Sequence, residues 1–138
     1  MDDVVARYRA ASEANDIDAL GELLEADAEL VSPLSGRMVF RGPDDVRLLL
    51  GAVYGSLRDW RWHEEVGDNS LRMVIGAGKV GPFKLGDAML FELSREGKIQ
   101  RIRPHLRPWL GLTGFALLVG PRLARHPGVI LRALRGAR

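Results

Sequence analysis

Apolar residues recur at helical spacing over roughly the first third of the chain and at the two-residue spacing of strands after it. Val4, Val5, Tyr8, Ala11 and Ser12 fall three and four residues apart, which predicts an amphipathic helix with Tyr8 on its buried stripe. Asp16 stands where it can cap a second, short helix that turns Ile17, Leu20, Leu23 and Leu24 inward and leaves Glu22 and Glu25 outside. Ala28 to Leu34 reads as a strand ending at Pro33, Ser35-Gly36 as a turn, and Met38 to Arg41 as the returning strand of a hairpin. Gly42-Pro43-Asp44-Asp45 brings a proline and two acids to the first turn of a third helix, whose stripe is Val46, Leu49, Leu50, Val53 and Leu57.

From Trp60 onward the period is two, and strands are predicted over about 59–66, 70–77, 83–94 and 98–107. Gly67-Asp68-Asn69 and Arg95-Glu96-Gly97 are hairpin turns. Helices followed by a run of antiparallel strands predict an α+β fold, with the helices packed on one face of a curved sheet. After Pro108 the pattern becomes short, apolar and broken, and Pro127 separates two short helical candidates. The division expected is a domain over residues 1–108 and a basic, apolar extension over 109–138.

Composition narrows the function classes. The 138 residues are 46% apolar and 28% charged, enough to bury a core. The absence of cysteine removes disulfides, a thiolate nucleophile and sulfur-ligated zinc. The acidic start, Met1-Asp2-Asp3, lacks the basic and then apolar pattern of a secretory signal, so a cytoplasmic protein is expected. The net charge of +2 is unevenly spread: residues 1–96 hold 11 basic and 18 acidic side chains, whereas residues 97–138 hold nine basic ones and no acid.

The segment around Asp87 carries the strongest chemical signal. Alternation places Asp87 on one face with Phe83, Leu85, Met89, Phe91 and Leu93, opposite Lys84, Gly86, Ala88, Leu90, Glu92 and Ser94. A carboxyl among apolar side chains is desolvated, which favours its protonated form and lets it donate a hydrogen bond. The alternative is a buried acid satisfied by backbone amides or an arginine. Tyr8 is a phenol that can join Asp87 at the closed end of a pocket, or a core tyrosine with a satisfied hydroxyl.

Three stretches resemble a known family: Val5-Ala6-Arg7-Tyr8, Ala14-Asn15-Asp16-Ile17-Asp18-Ala19-Leu20, and Leu24-Glu25-Ala26-Asp27-Ala28-Glu29-Leu30. With Phe40-Arg41-Gly42-Pro43 and Gly97-Lys98-Ile99 they are similar, in the same order, to ketosteroid isomerases of the nuclear transport factor 2-like superfamily, which also holds the SnoaL-like polyketide cyclases. The resemblance spans about residues 3–107 and implies a cone: a strongly curved, mainly antiparallel sheet wrapped around N-terminal helices and enclosing an apolar pocket. It implies that Tyr8 matches the oxyanion tyrosine and Asp87 the protonated acid beside it. By analogy it implies a homodimer that binds a small hydrophobic molecule; no cofactor is expected, nor a metal, since no metal-ligand spacing is seen.

The isomerases place their general-base aspartate just before a proline on the first strand, and this chain has Ser32-Pro33 there. A serine hydroxyl does not take a proton from carbon near neutral pH without a partner base, so the usual steroid isomerisation is not expected. Two readings stay open: an isomerase or cyclase working through Asp87, Tyr8 and Ser32, and a ligand-binding protein without catalysis. An epoxide hydrolase of the superfamily ranks below both, because Leu85 stands where its arginine would be. The ligand-binding wall is assigned to Trp60, Trp62, Met73, Leu85, Met89, Ile102, Pro104 and Leu106, with Arg101, Arg103 and His105 on the opposite face of the last strand.

Other motifs fail on context. Gly76-Ala77-Gly78-Lys79-Val80-Gly81 has the phosphate-loop spacing, but a strand follows it, so it is read as a bent hairpin. His63-Glu64-Glu65 opens like a zinc-protease motif, yet Gly67 stands in place of the second histidine. In the extension, Arg122, Arg125, Arg132, Arg135 and Arg138 interleave with Leu123, Val129, Ile130, Leu131 and Leu134. Either Trp109 to Val119 folds back over the sheet or the cone mouth, with the arginines solvated or paired to the acidic body, or residues 121–138 rest on an anionic membrane surface, making the protein peripheral to it. Trp109 to Pro121 is too short to span a bilayer and contains three glycines. Nucleic acid is not an expected partner, since no aromatic platform accompanies the basic residues.

Overall fold

The computed structural model describes residues 3–35 and 37–135; Met1, Asp2, Gly36 of the predicted turn and Arg138 lie outside the described residues. The elements are α1 (Val4–Glu13), α2 (Ile17–Glu22), β1 (Leu24–Val31), β2 (Val39–Arg41), α3 (Pro43–Tyr54), β3 (Leu57–Gly67) and β4 (Leu71–Val80). They continue with β5 (Phe83–Leu93), β6 (Ile99–Arg103), β7 (Leu106–Arg107), α4 (Trp109–Ala124) and α5 (Pro127–Arg135). Short polar side chains start the first two helices: the Asp3 carboxylate accepts from the Val5 N–H, and that of Asp16 from the Ala19 N–H. Pro43 opens α3, where its fixed φ suits a first turn.

The sheet runs β2-β1-β6-β5-β4-β3, with β7 paired to β5 beyond the end of β6. β1 and β6 are parallel and the other pairs antiparallel, an α+β arrangement with a mainly antiparallel sheet. Register shifts within the β1–β6, β3–β4 and β5–β6 pairs are points where a strand bends and twists further. The inner face of the sheet buries Leu30, Trp60, Trp62, Val74, Phe91, Ile99 and Ile102 against Val5, Tyr8, Leu20, Val46 and Leu50 of the helices. Arg72 clasps α1 to this layer, reaching Asp3 at 2.6 Å and Glu65 at 2.8 Å.

Several boundaries differ from the sequence pattern. β1 begins at Leu24, not Ala28, and stops at Val31, so Leu24 belongs to the sheet; Leu57 likewise opens β3 rather than closing the third helix. The strand expected over 98–107 is two strands, because Pro104 has no N–H to give a ladder and the chain steps aside before pairing again at Leu106. The glycine-rich stretch is mostly regular β4, and only Gly81, with φ +57°, and Pro82 form the turn into β5.

The segment after Pro108 is not broken. α4 is one helix of 16 residues running through Pro121. Pro121 is exposed, so its missing hydrogen bond falls on the solvent side while Phe115, Val119 and Leu123 hold the buried side. A side chain at Gly111 would run into the carbonyl oxygen of Lys84, which shows how closely α4 approaches β5. Phe115 and Val119 pack with Val80 and Leu85; Leu123, Val129 and Ala133 join the main core. Arg132 forks onto Asp45 at 2.8 and 2.9 Å. Among the described residues no helix is long and apolar enough to cross a membrane.

Candidate functional site

A cavity of about 100 Å³ lies between the inner face of the sheet, α3 and α4. β5 contributes Leu85, Asp87 and Met89; β3 contributes Trp60; α3 contributes Leu49, Leu50 and Tyr54. Ser32, Pro33 and Leu34 line it from the loop after β1, and Pro104 and Leu106 from the β6–β7 region. α4 closes it with Phe115, Val119, Gly120 and Leu123. The lining is apolar apart from Asp87, Tyr54 and Ser32, and Trp60 lines it with a buried indole.

Asp87 is only 6% exposed. β5 pairs it with Gly76 on one side and Leu106 on the other, which fixes its side chain on the inner face. The break at Pro104 serves this residue: the His105 N–H, turned out of the β6 ladder, donates to Asp87 Oδ1 at 3.1 Å. Asp87 Oδ2 has no hydrogen-bond partner among the described residues. Burial pushes the Asp87 carboxyl up from its ordinary value to about 7, and the His105 amide opposes that rise only in part.

Behind Asp87 stands a pair of phenols. Tyr8 Oη and Tyr54 Oη are 2.8 Å apart, both rings are buried, and both hydroxyls lie within electrostatic range of Asp87. Burial, foremost, holds both phenols well above their ordinary pKa, so they stay neutral hydrogen-bonding groups. The Tyr8 ring is locked edge-on against Phe91 at 4.8 Å between centroids and against Tyr54 at 6.3 Å.

Of the residues assigned from the sequence, Asp87, Ser32, Trp60, Leu85, Met89, Pro104 and Leu106 line the cavity. Tyr8, Trp62, Met73 and Ile102 do not. Tyr8 sits one layer back, reaching the cavity through Tyr54. Trp62 gives its indole N–H to Ser12 Oγ at 2.8 Å and packs edge-on against Trp60 at 5.3 Å. Met73 neighbours the buried Val74, and alternation turns it to the other face of the sheet. Ile102 is paired with Phe91 in the fully buried core. Ser32 Oγ accepts from the Leu34 N–H at 3.1 Å, so its hydroxyl ties the loop and keeps one proton to donate.

Sequence reasoning missed Tyr54; that residues 109–119 fold back over the sheet or the cone mouth was one of its two readings, but it assigned no side chain of α4 to the wall. Tyr54 follows Leu50 by four residues and so shares the predicted stripe, a signal present in the pattern. The α4 wall gave no such signal, because its apolar residues cover more than one face of the helix. His63, Glu64 and Glu65 lie along β3, and Glu65 is taken by Arg9 and Arg72. Among the described residues no group of three or more histidine, aspartate or glutamate side chains can hold a metal ion.

Fold and site define an α+β protein whose apolar cavity holds a buried acid, built on the nuclear transport factor 2-like fold. An uncharacterised protein with a cystatin-like fold from Silicibacter pomeroyi superposes with a TM-score of 0.87 at 22% identity, covering 97% of this chain and 93% of its own. A steroid delta-isomerase from Pseudomonas aeruginosa gives a TM-score of 0.82 at 23% identity, covering 91% of this chain and 92% of its own. A nuclear transport factor 2-like protein of unknown function from Cytophaga hutchinsonii gives a TM-score of 0.62 at 13% identity, covering 77% and 88%. No family model and no curated protein matches the sequence.

Proposed function

We propose that the protein binds a small apolar molecule in the cavity and that Asp87, with Tyr54 and Tyr8 behind it, hydrogen-bonds or exchanges a proton with that molecule. The observation that carries this reading is a carboxyl with one oxygen held by the His105 amide and the other unpartnered in an otherwise apolar hollow. The size supports a ligand of about one ring, since an apolar cavity of about 150 Å³ takes up benzene.

With its carboxyl near pH 7, Asp87 exists in both forms around neutrality. Protonated, it donates to a carbonyl or phenol oxygen; ionised, it accepts a proton from the ligand. Ser32 supplies no second base, so any proton transfer runs through Asp87 alone. The similarity to a steroid delta-isomerase supports proton chemistry of this kind without fixing the substrate.

Calorimetric titration with phenol and with benzene tests the reading. The protein is expected to prefer phenol, and Asp87→Ala to lower phenol affinity about tenfold, the worth of one hydrogen bond in a dry site, while leaving benzene binding in place. No uptake of either ring, or equal affinity for phenol in both proteins, overturns it.

A further inference from the structure

We infer that Trp60 is a second hydrogen-bonding hook in the cavity, and that the ligand therefore presents an acceptor oxygen, of carbonyl or ether type, to its indole N–H and to the carboxyl of Asp87 together. This deepens the reading above and rests on it.

Trp60 and Trp62 are equally buried, each 5% exposed, but their nitrogens fare differently. Trp62 Nε1 is satisfied by Ser12, whereas Trp60 Nε1 is buried with no partner among the described residues. An orphaned buried N–H is uncommon in a native fold, since it gives up its water without recompense. The same indole lines the cavity. Among the described residues it is the one fully buried side-chain donor of the lining that has no acceptor.

The seat of the ring sets its direction. A Cβ at Gly76 would come within 2.8 Å of Trp60 Cζ2, and one at Gly78 within 2.7 Å of Cε3, so the indole lies flat on the two glycines of β4. Cζ2 belongs to the edge of the indole that bears Nε1. Gly76 is the ladder partner of Asp87. The N–H edge of Trp60 is thus the edge lying over Gly76, on the same face of the sheet as the carboxyl of Asp87, while Met89, Leu106 and Phe115 form apolar wall. An oxygen that reaches both groups takes two hydrogen bonds, and the ring that carries it faces that wall.

Cyclohexanone and methylenecyclohexane, nearly equal in shape, separate oxygen recognition from bulk. The wild type is expected to bind the ketone about tenfold more tightly, and Trp60→Phe to erase most of that preference while keeping affinity for the hydrocarbon. In ¹⁵N-labelled wild type the ketone should shift the Trp60 indole N–H resonance downfield and leave that of Trp62, already bonded, nearly still. This second readout does not depend on the variant folding. Should the hydrocarbon bind but the ketone gain no preference and move no Trp60 resonance, the inference fails and the cavity reading stands. Should neither molecule bind, the cavity reading itself is lost. An equal weakening of both ligands by Trp60→Phe marks Trp60 as a wall only and also overturns the inference.

Discussion

Asp87 holds a proton in the fold that it would give up in the unfolded chain. Unfolded, its carboxyl ionises near 3.8; folded, near 7. Between those values the native state binds the extra proton, so the stabilisation is whole below about pH 4 and drains away as pH rises through about 7, on the order of 4 kcal/mol in all. Asp87→Asn should flatten that slope, measured as urea midpoints from about pH 4 to pH 8; parallel slopes in both proteins would show that residue 87 is not the titrating group. The two phenols give another residue-scale expectation. Tyr54→Phe strands the buried Tyr8 hydroxyl and is expected to cost about 1–3 kcal/mol; Tyr8→Phe leaves Tyr54 the Ser12 hydroxyl and should cost less, and the double variant should cost less than the two together. Additive losses in a double-mutant cycle would deny the coupling. Alternation along β5 was enough to place Asp87 on the inner face from sequence. Which phenol touches the cavity was not legible, because Tyr8 and Tyr54 both sit on apolar stripes and only the packing decides which one stands in front.

At the scale of elements, β3 and β4 act as a unit. A Cβ at Gly76 would press to 2.6 Å from the Trp62 ring, so Gly76→Ala forces both tryptophans to move. Such overpacking should cost about 1–3 kcal/mol and weaken ligand binding together with stability, read by thermal unfolding and by titration of the same sample. Unchanged binding would mean that the Trp60 seat is not part of the site. The glycine pattern that imitated a phosphate loop is thus explained by the indoles lying over it, a cross-strand fact invisible along one strand. Pro104 shows the converse. Its identity was plain in the sequence, but that it would split the last strand and release the His105 amide to Asp87 depended on where β5 ran beside it.

Taken as a whole, the molecule closes its cavity with α4, a helix docked on β5 through the close approach at Gly111. Phe115 is buried between the cavity and the second apolar cluster. Phe115→Ala is expected to cost about 3–5 kcal/mol and to enlarge the cavity, shifting its preference from one-ring toward two-ring ligands such as naphthol. An unaltered size preference would show that α4 does not bound the ligand. The chain by itself determined the order of helices and strands, the inner face of β5 and the asymmetry of charge, because each follows from local period or from counting. Tertiary structure alone decided how far the hollow reaches, that Tyr54 rather than Tyr8 borders it, and that Trp60 keeps an unpaired N–H while Trp62 does not. Those depend on which side chains meet across the sheet and beneath α4, distances in space that no spacing along the sequence encodes.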